Sequence, residues 1–159
     1  MTEVRVGLGV DAHALEEGEP LVLGGVAIDH PRGLAGHSDG DVLAHALIDA
    51  VLGAAGLGDI GELFPSGDSR WHGASSLDLL TRAYAQVREL GFELVNADCI
   101  LIGEEPRLAP HRARMREALA GALGVPPDRI AVRATTTDRL GFTGRGEGLA
   151  AQAVALLQR

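Results

Sequence analysis

A chain of 159 residues, 46% of them hydrophobic, is long enough to bury one core and reads as a single domain over residues 1–159. A net charge of −8 with a pI near 5.1 argues against a nucleic-acid-binding surface, and no apolar run is long enough to span a bilayer. A single cysteine, Cys99, excludes an internal disulfide and any multi-cysteine zinc site, while the absence of lysine, all 14 basic residues being arginine, excludes Schiff-base chemistry and lysine-based phosphate loops.

The N-terminal stretch MTEVRVGLGV carries no basic leader with a cleavage site, so a soluble, cytoplasmic protein is expected. Arg5 to Val10 alternates as a strand and runs into Asp11-Ala12-His13, where residues two apart point to one side and converge. Gly7 and Gly9 lack the third glycine and the following helix of a dinucleotide loop. Residues 20–28 form an apolar strand or hairpin bent at Gly24-Gly25, and Asp29 to Gly33 turns the chain, with His30 a surface turn residue.

Gly36 to Asp49, GHSDGDVLAHALID, concentrates the chemistry. Ser38 or Asp39 is expected to cap a helix whose apolar stripe is Leu43, Leu47, Ile48 and Val51. Asp41, His45 and Asp49 follow at i, i+4 and i+8 on another stripe, and His37 and Ser38 sit at the mouth, where free N–H groups favour anions. Asp49, a turn beyond His45, is placed either to orient that imidazole or to face solvent. Residues 56–68 are glycine-rich and read as a flexible loop, a ligand cover or a plain solvated connection.

Ser75 or Ser76 opens a helix to about Leu90 with Leu77, Leu80, Tyr84, Val87 and Leu90 as its core stripe, and His72 before it faces solvent. Residues 92–102 form a strand, and Pro110 opens a helix to about Leu123 whose Arg112, Arg114 and Arg116 mainly solvate it. Arg107, in the preceding loop, is the better phosphate candidate. Strand 129–135 leads into Thr135-Thr136-Thr137-Asp138, and the apolar stretch Leu149 to Gln158 reads as a last helix, either central or at an oligomer contact. The order β, β, α, α, β, α, β, α predicts helices layered on one sheet.

Asp11, His13 and His45 form a two-histidine, one-carboxylate set that suits a catalytic zinc ion and equally a non-haem iron. The bland alternative makes His13 a strand-end cap and His45 a satisfied core imidazole. The TTTD run places three hydroxyls and a carboxylate at a strand end, a common ligand position in α/β proteins, although threonines also fit any pleat.

Taken together, GVDAH (9–13), GHSDGDVLAHALIDAVLGAAGLGDIGELFP (36–65), PRLAPH (106–111) and RATTTDRLGFTGRGEG (133–148) resemble the 2-C-methyl-D-erythritol 2,4-cyclodiphosphate synthase family over nearly the whole chain. The resemblance implies an α/β protomer of α+β, ferredoxin-like type, one sheet with helices on one face, assembling as a homotrimer with active sites shared between subunits. It implies a phosphorus-oxygen lyase of non-mevalonate isoprenoid biosynthesis, acting on 4-diphosphocytidyl-2-C-methyl-D-erythritol 2-phosphate and releasing CMP. The competing readings are a zinc metallohydrolase of a phosphorylated substrate and a non-catalytic trimeric isoprenoid- or metal-binding protein.

By the same resemblance, Asp11, His13 and His45 hold one Zn2+ per subunit, and His37 and Thr136 act at the reacting phosphate with Ser38 beside them. Asp59, Gly61, Phe64 and Asp68 contact substrate. Gly103, Arg107, Leu108 and Ala109 form the nucleotide side. Thr135 and Thr137 flank Thr136, and Asp138 meets a second divalent ion, Mg2+ or Mn2+, on the diphosphate. Phe142, Arg145 and Glu147 match positions near the family's threefold axis, with Phe142 and Arg145 expected at a cavity for an isoprenoid diphosphate. Two departures stand out: Asp138 replaces a common glutamate, and Ser66 a common aspartate.

Overall fold

The alternation of Arg5, Gly7 and Gly9 with Val4, Val6, Leu8 and Val10 makes one long strand, and a computed structural model describing all residues 1–159 extends it to β1 (Val4–Glu17). β2 (Leu21–Leu23) and β3 (Val26–Ile28) form the expected hairpin at Gly24-Gly25, and β4 (Arg32–Leu34) returns along the end of β1. Helices α1 (Val42–Ala55), α2 (Ile60–Leu63) and α3 (Ser76–Glu89) follow. Then come β5 (Glu93–Ile102), α4 (Arg112–Leu123), β6 (Ile130–Thr135), the single turn α5 (Gly141–Gly144) and β7 (Gly148–Gln158). The main sheet runs β4-β1-β7-β5-β6, mixed in direction, with only β5 and β6 parallel. The fold is mixed α+β, with the helices on one face of that sheet.

The last element corrects the sequence reading. Residues 149–158 are not a helix but part of β7, the central strand, paired with β1 on one side and β5 on the other. Leu149, Ala151, Ala153, Ala155 and Leu157 are buried at a period of two, between more open residues such as Gln152 and Val154. Alanine's helix preference is a weak prior, and two flanking strands override it here.

α1 is more deeply placed than an amphipathic stripe requires: every residue but Asp49 and Gly53 is buried. It lies against β1 and β7 on one side and α3 on the other. Small residues permit this approach. A β-carbon on Gly7 would overlap the Ala50 carbonyl oxygen, and one on Gly9 the Ala46 carbonyl oxygen, so the glycine pair serves helix–strand contact and no dinucleotide.

Asp41, not Ser38 or Asp39, caps α1, its carboxylate accepting from Ala44 N–H. Asp39 is engaged elsewhere, with Ser76 and Asp41 N–H. In α3 the core stripe includes Leu79, Leu80, Ala83, Tyr84 and Val87, whereas Leu90 falls after the helix and is exposed. His30 is not a surface residue: its ring is mostly covered, with Nδ1 at the Arg32 backbone and Nε2 3.5 Å from Glu105. Arg116 also does more than solvate, donating to the carbonyls of Ile130 and Pro127.

On the sheet face away from the helices, β1 presents an apolar row. Val4, Val6, Leu8 and Val10 are between 55% and 68% exposed there, a row a solitary domain would ordinarily make polar. No helix is long and apolar enough to cross a membrane.

Candidate metal and substrate site

Asp11 and His13 project from the same side of β1, and His45 meets them from the first turns of α1. Asp11 Oδ2 lies 2.8 Å from His13 Nε2 and 3.0 Å from His45 Nδ1, and the two ring nitrogens are 3.2 Å apart. Three donor atoms bonded at about 2.0–2.1 Å to a tetrahedral ion stand about 3.3 Å from one another. The set therefore fits a single cation, and two imidazoles with one carboxylate are donors that zinc accepts.

The electrostatics agree. Burial works to raise the Asp11 carboxyl, but hydrogen bonds and charge from His13 and His45 outweigh it and hold the group at about 2. The hydrogen bond to Asp11 raises His13, against the opposing effect of burial. The carboxylate that favours a proton on His13 would hold a cation at the same position once that proton leaves.

Around the triad is a cavity of about 370 Å3. His37 and Ser38 form its mouth, and Ile60, Gly61, Phe64, Pro65, Ser66 and Gly67 form a wall. The glycine-rich segment thus forms a cavity wall with a short helix in it. Asp59 caps that helix by accepting from Glu62 N–H, and Asp49, from α1, accepts from Ile60 N–H at 2.8 Å. Asp49 therefore neither orients His45 nor serves as plain surface. Asp68 caps the next turn and is paired with Arg70.

His37 Nε2 is buried without a hydrogen-bond partner, leaving a ring nitrogen at the mouth uncommitted within the chain. His72 is exposed as expected, yet its ring packs edge-on against His37 at 5.1 Å.

The other expected residues lie apart from this cavity. Gly103, Arg107, Leu108, Ala109, Thr135 and Thr136 line a second one of about 220 Å3, and Gly103 N–H bonds to Thr135 carbonyl to hold the two segments together. Asp138 stands beyond Thr136 with a left-handed φ of 52°, close enough for a 3.5 Å contact to the Thr136 hydroxyl, and it is not among the triad's neighbours. The Thr137 hydroxyl is spent on the Leu140 carbonyl. Arg145, paired with Glu147, lines a third cavity of about 400 Å3, and Phe142 borders a fourth beside His13. Within one chain, then, His37 and Thr136 line different cavities.

Two residues escaped the sequence reading. Trp71, the only tryptophan, packs edge-on against Phe64 at 5.0 Å and closes the wall. Ser76, read only as a helix start, lies with its hydroxyl 2.8 Å from His45 Nε2, and Asp39 holds Ser76 in turn. A lone tryptophan after a glycine-rich stretch was a usable signal. Nothing local linked Ser76 to His45, 31 residues away.

The YgbB family profile matches residues 4–158. The chain is 60% identical over 158 residues to the 2-C-methyl-D-erythritol 2,4-cyclodiphosphate synthase of Rubrobacter xylanophilus, spanning 98% of this chain and 95% of that one. It is 58% identical over 154 residues to the synthase of that name from Moorella thermoacetica, spanning 97% and 94%. A solved structure of a 2C-methyl-D-erythritol-2,4-cyclodiphosphate synthase in its CDP-bound form matches with a TM-score of 0.88 at 43% identity, over 96% of this chain and 99% of that one.

Proposed function

The chain belongs to the YgbB family, and from that premise we propose that it converts 4-diphosphocytidyl-2-C-methyl-D-erythritol 2-phosphate into 2-C-methyl-D-erythritol 2,4-cyclodiphosphate with release of CMP. It is then an enzyme of non-mevalonate isoprenoid biosynthesis, a phosphorus-oxygen lyase, working in the cytoplasm. The observation that carries this reading is the convergence of Asp11, His13 and His45 beside a cavity with an uncommitted histidine at its mouth.

In the reaction a 2-phosphate oxygen forms a bond to the β-phosphorus of the diphosphate, and the bond from that phosphorus to the bridging oxygen breaks, CMP leaving with the electron pair. Little covalent work falls to the protein; it must align the two phosphates and meet their charge. Asp11, His13 and His45 would hold one Zn2+ per subunit and Asp138 a Mg2+ or Mn2+, which would supply Lewis acidity and positive charge where no lysine is available. His37 and Thr136 donate hydrogen bonds to oxygens on the phosphorus undergoing substitution, with Ser38 beside His37. Asp59, Gly61, Phe64 and Asp68 contact the substrate. Gly103, Arg107, Leu108 and Ala109 hold the cytidine diphosphate, with Thr135 and Thr137 flanking Thr136.

The separation of His37 from Thr136 within one chain supports a site completed by a neighbouring subunit. The exposed apolar row of Val4, Val6, Leu8 and Val10 on the outer face of β1 supports the homotrimer. In that assembly Phe142 and Arg145 border an axial cavity for an isoprenoid diphosphate.

Incubation with the diphosphocytidyl substrate, zinc and magnesium, followed by phosphorus NMR, tests the proposal. Cyclic diphosphate and CMP are expected. A ring-opened hydrolysis product would replace this reading with a metallohydrolase, and tight binding without turnover, with metal occupancy confirmed, would leave a binding protein.

A further inference from the structure

We propose that Asp39 and Ser76 are positioning residues that fix the tautomer of His45 and thereby turn its Nδ1 lone pair toward the metal position, an inference that rests on the metal-site reading above. Ser76 is the first residue of α3 and is fully buried. Its hydroxyl lies between Asp39 Oδ1 and His45 Nε2, the latter at 2.8 Å.

A serine hydroxyl has one proton to give, and a carboxylate oxygen can only accept. The Ser76 proton therefore belongs to Asp39, and toward His45 the Ser76 oxygen acts as an acceptor. Nε2 must then carry the ring hydrogen, which leaves the lone pair on Nδ1, the atom facing Asp11 Oδ2 and His13 Nε2. Ser38 Oγ, 3.0 Å from the same Nε2, offers a second acceptor.

Asp39 is suited to this task because it meets donors only. Ser76 N–H reaches Oδ2 at 3.0 Å, Asp41 N–H reaches Oδ1 at 3.1 Å, and the Ser76 hydroxyl completes the set. An asparagine here, with its oxygen on Ser76 N–H, would turn its NH2 toward Ser76 Oγ, reverse the hydroxyl, and press a hydrogen against Nε2. The ring would then carry its hydrogen on Nδ1, where the cation belongs.

The test compares wild type with Asp39→Asn, Ser76→Ala and Ser76→Thr. Zinc affinity is read by competition with a chromophoric chelator, and the His45 ring N–H of the zinc-loaded protein by proton–nitrogen NMR. Asp39→Asn and Ser76→Ala are expected to weaken zinc binding about 10–100-fold, whereas Ser76→Thr, which keeps the hydroxyl, stays within about threefold. The wild-type ring hydrogen should reside on Nε2 and exchange slowly with water, and exchange faster in Ser76→Ala. A purely structural role would not move that resonance. Asp39→Asn and Ser76→Ala binding zinc like wild type, or a wild-type ring hydrogen on Nδ1, would overturn the inference while leaving the metal site standing. A wild-type chain that takes up no zinc would remove the metal-site reading and this one with it.

Discussion

Replacing Asp41 with alanine should unfold this domain more readily than almost any other single change near the site, because one side chain closes three backbone accounts. Its Oδ1 accepts from Gly24 N–H at 2.9 Å and Ala44 N–H at 3.1 Å, and its Oδ2 accepts from Gly25 N–H at 2.7 Å. The first two donors are buried, and Gly24 and Gly25 have left-handed φ values of 56° and 76°. Alanine leaves the hairpin turn and the helix start without this partner. A buried donor left unpaired costs about 1–3 kcal/mol and a lost N-cap about 1 kcal/mol. The sum for two hairpin donors and one cap is about 3–7 kcal/mol, a large part of the roughly 5–15 kcal/mol that holds a domain folded. Asp41→Asn should fall between: one oxygen in the Oδ1 place keeps two bonds, and the NH2 turned at Gly25 N–H loses the third. Urea unfolding of the metal-free protein at pH 7 reads the series. An Asp41→Ala midpoint matching wild type, or an Asp41→Asn protein as weak as Asp41→Ala, would refute the reasoning.

Two further outcomes follow from the same region. Gly9→Ala should destabilise by about 1–3 kcal/mol, since its β-carbon meets the Ala46 carbonyl of α1 and backbone cannot rotate aside as a side chain can; unchanged thermal unfolding would show that the helix–strand contact is looser than described. Burial raises the Asp41 carboxyl from 3.8 to about 6 despite its N–H donors, so between those values the folded chain holds a proton that the unfolded chain has lost. That contribution is complete below about pH 4 and lost as pH rises to about 6, lowering wild-type stability relative to Asp41→Asn across the window. Unfolding of both proteins from pH 4 to 7 measures it, and a constant difference would contradict the shift.

The triad was legible because two short-range rules suffice for it. Asp11 and His13 share a face by the period of a strand, and His45 sits on a helix whose start the preceding loop announces. Pairing the two elements needed the family resemblance, and the 3.0 Å approach of Asp11 to His45 needed the structure. Asp41 was misassigned because helix periodicity placed it with His45 and Asp49, while a cap residue precedes the helix and turns its side chain to local N–H groups. Asp49 was likewise drawn off by Ile60 N–H. The stretch 149–158 failed for a different reason: a strand buried between two neighbours need not alternate in polarity, and alanines fit it because α1 crosses close above. Ser76 depended on a tertiary contact that no spacing encodes.

Gly7, Gly9, Asp11 and His13 are successive residues on one face of β1. The strand thus offers no side chains where α1 presses closest and ligands just beyond. The separation between the two coordinating elements is consequently set by atoms that are missing, the β-carbons of two glycines, acting as a gauge for the bite of the site. Metal preference could be retuned along this chain without altering a ligand, by changing the thickness of that spacer and letting His45 ride in or out with its helix.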